Sequence, residues 1–217
     1  MDRFTHQRRQ SFVDRCLAEV DNALRVIMAE PAAAKTAPLP ADDSATLSND
    51  EQDLARRLMR VNHAGETAAQ ALYRGQALVT QDPELRQDLL TAAAEEHDHL
   101  AWCQRRAEQL GGGVSRLAPL WYSGSFAIGV AAGLAGDKAS LGFLAETEKQ
   151  VTAHLEDHLK RLSENDQTTR AILEQMRDDE IQHSEGAMQR GGINLPGPVK
   201  KIMAATSKVM TTVSYRV

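Results

Sequence analysis

Glu96-His97-Asp98-His99 and Glu180-Ile181-Gln182-His183 are two Glu-x-x-His steps, and each follows a further glutamate set in a helical pattern. Glu66 lies 30 residues before Glu96, and Glu148 lies 32 before Glu180. On a helix, positions i and i+3 project from one face, so each step presents a carboxylate and an imidazole together. Two such helices, plus one glutamate from each of two more, supply the ligands of a carboxylate-bridged dinuclear metal centre inside a four-helix bundle. The pattern predicts an all-α, ferritin-like four-helix bundle with Glu66, Glu96, His99, Glu148, Glu180 and His183 as metal ligands.

One Glu-x-x-His step is a weak signal in a chain with 15 Glu and 7 His; the strength lies in two steps that both fall on core-facing positions. Glu96 and His99 are in phase with Leu85, Leu89, Ala92 and Cys103, and Glu180 and His183 with Leu173, Met176 and Ala187. Charged side chains are seldom buried unless they are paired or metal-bound. Four carboxylates in one core repel, and two divalent cations cancel their charge. Glu146 competes with Glu148, but Glu148 shares a face with Leu141, Leu144, Val151 and Leu155, whereas Glu146 is in phase with Lys149 and Gln150. Glu66 aligns with Met59, Asn62 and Tyr73. His97 rivals His99, but its neighbour three residues back is Ala94, so His97 reads as solvated or outside the ligand shell. His63 reads as a structural histidine. His154, about two turns beyond Glu148, is a candidate relay for protons or electrons. Oxygen and imidazole ligands suit iron or manganese, and the missing cysteine cluster argues against an iron–sulfur centre.

Strand signals are almost absent. Residues 11–30 place Val13, Cys16, Leu17, Val20, Leu24, Ile27 and Met28 at helical spacing. Pro31, Pro38 and Pro40 bound an Ala-rich linker, so residues 1–47 form an N-terminal helix and linker ahead of a metal-binding domain over 48–217. Ser48-Asn49-Asp50-Glu51 has the form of a capping box opening a helix to about Val79. Asp82-Pro83 opens the next, which Gly111-Gly112-Gly113 ends. Two more run over about 137–162 and 166–190, and a last amphipathic helix follows Pro198. The expected order is four ligand-bearing helices, an extra helix at each end, and a long crossover in the middle.

At 217 residues the chain suits one compact core. Lys+Arg of 25 against Asp+Glu of 30 gives a net charge of -5, which does not fit a nucleic-acid partner. Cys16 and Cys103 give no disulfide framework. The opening MDRFTHQRRQ is basic without the apolar core of a secretory signal, and cytoplasmic residence is the expectation.

Residues 117–136, LAPLWYSGSFAIGVAAGLAG, carry no charge over 20 positions. A single span there would put Glu96 and His99 on one side of a bilayer and Glu148 on the other, destroying the site. The stretch either packs over the bundle or dips into one leaflet with Trp121 and Tyr122 at the interface, and the second is the favoured reading. No acidic residue follows Glu185, while Arg190, Lys200, Lys201, Lys208 and Arg216 do. That basic tail suits anionic lipid as well as it suits packing on the bundle.

The chain resembles the Coq7 family, the di-iron demethoxyubiquinone hydroxylases of ubiquinone biosynthesis, from about Arg56 onward. The residues that carry the resemblance are Arg60-Val61-Asn62-His63-Ala64-Gly65-Glu66, Glu96-His97-Asp98-His99-Leu100, Glu148 with Ala153-His154 beyond it, and Glu180-Ile181-Gln182-His183. It departs from animal members at Leu155, where they carry tyrosine, and residues 1–47 match nothing in the resemblance. The resemblance implies two iron ions, with Glu66, Glu96 and His99 on one, Glu148, Glu180 and His183 on the other, and some carboxylates bridging. It also implies O2 as co-substrate, NADH or the quinol itself as reductant, and a polyprenyl methoxy-methyl-benzoquinol as substrate, its tail admitted near Trp121 and Phe126. The expected setting is peripheral, on the cytoplasmic face of the cell membrane, with room for contact with other ubiquinone-biosynthesis proteins. A ferritin- or rubrerythrin-like iron-handling or peroxide-scavenging protein would use the same ligands without a lipid-facing segment. A metal-free helical scaffold would keep the bundle alone.

Overall fold

Residues 11–40 and 46–217 are described by a computed structural model; the basic stretch 1–10 and the linker residues 41–45 lie outside the described residues. Among the described residues seven helices follow one another: α1 (Phe12–Met28), α2 (Asn49–Val79), α3 (Pro83–Gln109), α4 (Ala118–Leu134), α5 (Asp137–Arg161), α6 (Gln167–Gln189) and α7 (Gly197–Ser214). No strand occurs among the described residues.

The helix boundaries follow from local chemistry. Ser48 and Glu51 form the reciprocal capping box that starts α2. Asp82 accepts hydrogen bonds from the Glu84 and Leu85 amides, with Pro83 opening α3. Asp166 caps α6 by accepting from the Thr169 amide, and Arg106 of α3 pairs with its carboxylate at 2.8 Å, tying the two helices together. Gly111 ends α3 at φ 75°, and Gly136 turns α4 into α5 at φ 99°, conformations that a side chain disfavours.

Helices α2, α3, α5 and α6 form the bundle. Their apolar side chains gather into two clusters, one at each end. On α2, Ala55, Leu58 and Met59 belong to one cluster, and Ala69, Leu72 and Tyr73 to the other. On α3 the order is reversed, with Leu85, Leu89 and Ala93 at one end and Trp102 and Cys103 at the other. Leu141 and Leu144 against Leu155 and Leu159 divide α5 the same way, as do Leu173 and Met176 against Ala187 on α6. Between the clusters lie the polar positions: 66 on α2, 96 and 99 on α3, 148 on α5, and 180 and 183 on α6. Hydrophobic burial therefore clamps the bundle above and below a polar layer.

The uncharged stretch forms helix α4. α4 lies against α2 so closely that a Cβ on Gly129 would strike the Leu72 backbone, and one on Gly75 would strike the Phe126 carbonyl. Tyr122 is buried, while Leu120, Ile128 and Leu134 face outward. No helix among the described residues is long and apolar enough to cross a membrane. Gly129→Val should cost about 2–3 kcal/mol through overpacking. A chain of this size should then melt several degrees lower in calorimetry, at roughly 2–4 °C per kcal/mol; an unchanged Tm would mean that α2 and α4 separate freely.

α1 is fastened to the bundle by polar contacts. Arg74 of α2 pairs with buried Glu19 at 2.6 Å, and the Asn22 amide donates to the Tyr122 hydroxyl at 3.0 Å. Its apolar row, Val13, Leu17, Val20, Leu24 and Met28, is exposed. α7 is held by Lys200 against Glu146 at 3.0 Å and by Arg60 donating to the Tyr215 carbonyl at 3.1 Å, and it leaves Val199, Ile202 and Val209 outward.

Candidate metal centre

The six sequence-derived ligands meet in the polar layer. Glu66, Glu96, His99 and Glu180 form one group of potential ligands, and Glu96, Glu148, Glu180 and His183 a second, with the ligand atoms of each group within 4.8 Å of one another. Glu96 and Glu180 belong to both groups. Glu96 presents Oε2 at 3.3 Å from His99 Nδ1 and Oε1 at 3.3 Å from His183 Nδ1. Glu180 does the same, with Oε1 at 3.2 Å from His99 Nδ1 and Oε2 at 3.1 Å from His183 Nδ1.

The donors fit a pair of cations. Glu66, Glu96, His99, Glu148 and Glu180 are essentially fully buried. Yet both oxygens of Glu96, both of Glu148, Glu66 Oε2, Glu180 Oε1 and His99 Nδ1 have no hydrogen-bond partner. Orphaned buried acceptors are costly, and their convergence is explained by metal ligation. The electrostatics agree. Burial, reinforced by the charges of Glu96 and Glu180, pushes Glu66 well above the carboxylate range, and burial with Glu180 does the same to Glu148. Burial also opposes ionisation of Glu96, but contacts from His183 and His99 hold its carboxyl below the ordinary range. Burial pulls His99 down, but Asp179, Glu180 and Glu96 outweigh it and raise it well above the ordinary imidazole value. His183 is pushed up to about 12, Glu180 and Glu96 overcoming its burial. Protons here partly do the work of cations.

Two further carboxylates escaped the sequence reading. Asp179 of α6 lies 3.1 Å from His99 Nε2 on α3, and Glu95 of α3 lies 2.8 Å from His183 Nε2 on α6. Each immediately precedes the glutamate of its own step and crosses to the histidine of the other helix. A carboxylate on Nε2 fixes the proton there and leaves Nδ1 free toward the cluster. Read along one helix, both positions fall on the flank of the ligand face, where a charge ordinarily means solvent. No sequence pattern announces a partner 80 or more residues away.

The remaining histidines among the described residues stay apart. His97 is half-buried and His63 buried, and neither belongs to a ligand group. His154 sits beside His158, ring centroids 3.9 Å apart, in a groove with Arg161, Lys208 and Tyr215. Burial holds its pKa down at about 4, so it is neutral at ordinary pH. No hydrogen bond or ion pair among the described residues joins it to the cluster. Six residues of helix advance the azimuth by about 600°, which turns His154 away from the face of Glu148.

A separate groove of about 440 Å³ does reach the cluster. Leu85, Leu89, Leu141 and Leu144 line it together with Glu95 and His183. Trp121 and Phe126, expected to admit the tail, do not line it.

Fold and site together define a ferritin-like helical protein with a buried carboxylate–histidine cluster that could hold metal. The family described as ubiquinone biosynthesis protein COQ7 matches residues 53–214, and the chain belongs to that family. It is 54% identical over 210 residues to the 3-demethoxyubiquinol 3-hydroxylase of Polynucleobacter necessarius, covering 94% of this chain and 99% of that relative. It is 51% identical to proteins of the same name from Nitrosococcus oceani, over 96% of this chain and 98% of the relative, and Legionella pneumophila, over 96% and 99%. At that coverage the relatives extend into the N-terminal segment, for which the sequence reading had found no counterpart.

Proposed function

We propose that this chain is a di-iron monooxygenase that hydroxylates the ring of 3-demethoxyubiquinol, a polyprenyl methoxy-methyl-benzoquinol, in ubiquinone biosynthesis. The observation that carries the proposal is the pair of ligand groups sharing Glu96 and Glu180, in a chain about half identical to hydroxylases of that name. Residues 48–217 form the hydroxylase domain, in which Glu66, Glu96 and His99 would hold one iron and Glu148, Glu180 and His183 the other. In the overall reaction one ring C–H becomes C–OH, the second oxygen atom of O2 leaves as water, and two electrons and two protons are consumed. NADH and the quinol are the two candidate donors. Iron supplies the activation of O2.

The chain's own residues supply the rest. The two apolar clusters exclude water from the polar layer, and Asp179 and Glu95 keep the histidine Nδ1 atoms turned inward. The groove beside His183 is of a size for a quinol head, its leucines offering an apolar wall to the tail. Exposed apolar rows on α1, α4 and α7, with Lys201 and Lys208 beside the last, suit one leaflet of an anionic membrane. The protein thus works as a peripheral protein on the cytoplasmic face of the cell membrane, where a polyprenyl quinol resides.

The deciding experiment is a quinone-extract profile of cells lacking this protein, complemented with wild type or Glu180→Ala. The expected result is accumulated demethoxyubiquinone, cleared by the wild type and not by the variant. An unchanged quinone pool, in cells with no second hydroxylase, would overturn the proposal and favour an iron-handling role.

A further inference from the structure

The N-terminal segment does more than link α1 to the bundle. Residues 33–37 form a strap, bent at Ala34 and Lys35, that lies against the stretch of α3 that carries the ligands. The Ala34 amide donates to Asp98 Oδ1 at 2.6 Å, and the Trp102 indole N–H donates to the Lys35 carbonyl at 3.0 Å. Ala33 and Ala37 pack on the apolar cluster that holds Trp102. So fixed, the strap delivers Lys35 Nζ to Glu95 Oε1 at 2.9 Å, while the other Glu95 oxygen meets His183 Nε2 at 2.8 Å.

We propose that this strap is part of the metal centre: Lys35 and Glu95 are positioning residues that hold His183 with its Nδ1 turned toward Glu96 and Glu180. The inference rests on the dinuclear reading above and assigns a role to a strap outside the family match, which begins at 53.

The physical case is one of constraint. Glu95 is about one-third exposed, and a glutamate so placed ordinarily samples several rotamers. Lys35 occupies one carboxylate oxygen and leaves the other to accept from the imidazole. It also offsets a negative charge that would otherwise add to four buried glutamates. The two histidines differ in this respect. Asp179, which serves His99, is held by Gln175 of its own helix at 3.0 Å, and His99 is almost fully buried. His183 is more open, its side chain 13% exposed against 2% for His99, and it is the one the strap supports. The Lys35–Glu95 pair itself is too exposed to matter much for stability, since Lys35 is 58% accessible. Its consequence should therefore be read in one ion and not in the fold.

The test is a Co2+ titration of the metal-depleted full chain, followed by visible absorption, with the melting temperature of each metal-free variant measured alongside. Wild type should bind two ions. Glu95→Gln should keep one at near wild-type affinity and weaken the other about 10–100-fold, in the range for loss of a carboxylate behind a ligating histidine. Lys35→Ala should weaken the same ion several-fold, Lys35→Arg should restore it, and the metal-free melting temperatures should stay unchanged. Two ions at wild-type affinity in both Glu95→Gln and Lys35→Ala would overturn the strap's role and leave the centre standing. Equal weakening of both ions with lower metal-free melting would also overturn it, showing structural support only. A wild type that binds no Co2+ would instead overturn the dinuclear reading.

Discussion

Glu96→Ala should strip both metal ions and with them essentially all ring hydroxylation, whereas Glu66→Ala should strip one. The asymmetry follows from the sharing of ligands. Glu96 places one oxygen near each histidine Nδ1 and belongs to both ligand groups, while Glu66 belongs only to the group with His99. Losing a bridging carboxylate removes a ligand from each ion and leaves the remaining charges unbalanced. The loss of activity should reach about a thousandfold or more, equivalent to about 4 kcal/mol of transition-state stabilisation. Iron per chain, measured with turnover on a short-chain quinol, separates the variants. Two ions retained by Glu96→Ala would contradict the bridging assignment, and one ion in Glu66→Ala with none in Glu96→Ala would establish it.

Why the ligands could be read from sequence and their supports could not is a matter of where the information lies. Glu96 and His99, or Glu180 and His183, declare themselves because helical phase alone brings i and i+3 together on a face that leucines mark as buried. Glu148 could be preferred to Glu146 on the same ground. The partnership of Glu95 with His183, or of Asp179 with His99, depends on how two helices are rotated and staggered, and no periodicity in either records that. The uncharged stretch shows the converse. Glycine lowers helix propensity, so local composition does not mark this stretch as a helix. In the fold, Gly129 and Gly75 are the positions where α4 and α2 touch backbone to backbone, so the same residues give the helix a place to lie. α1 marks a third limit. The spacing of Val13, Leu17, Val20, Leu24 and Met28 establishes an apolar face, but not what covers it, and the fold turns that face outward while burying Glu19. His154 shows that nearness along a helix is not nearness to a site.

Metal binding should become tighter as pH rises, and the stability difference between loaded and metal-depleted protein should widen with it. Glu66 and Glu148 are raised well above the usual carboxylate range, so the metal-free fold keeps their protons where the unfolded chain has lost them. His99 is raised well above its ordinary value and His183 to about 12, so both hold protons that the unfolded chain releases near pH 6.5. In every case the folded, metal-free chain binds more protons than the unfolded one, and its stability therefore falls with rising pH. The carboxylates begin this decline above about pH 4.5 and the histidines above about pH 6.5, His183 continuing it toward 12. Each proton still held contributes about 1.4 kcal/mol per pH unit. Glu96, lowered in the fold, acts in the opposite sense, its contribution being lost only as pH falls below the ordinary carboxylate value. Metal must displace the protons on Glu66, Glu148, His99 and His183, so binding releases up to about four. Two ions then replace that positive charge at a pH where protons no longer can. Calorimetric titration of Co2+ in buffers of different ionisation enthalpy counts the protons directly, and melting curves from pH 6 to pH 9 follow the widening gap. Binding without proton release, or a gap that narrows with pH, would mean that the four carboxylates are already ionised and balanced by something other than these histidines.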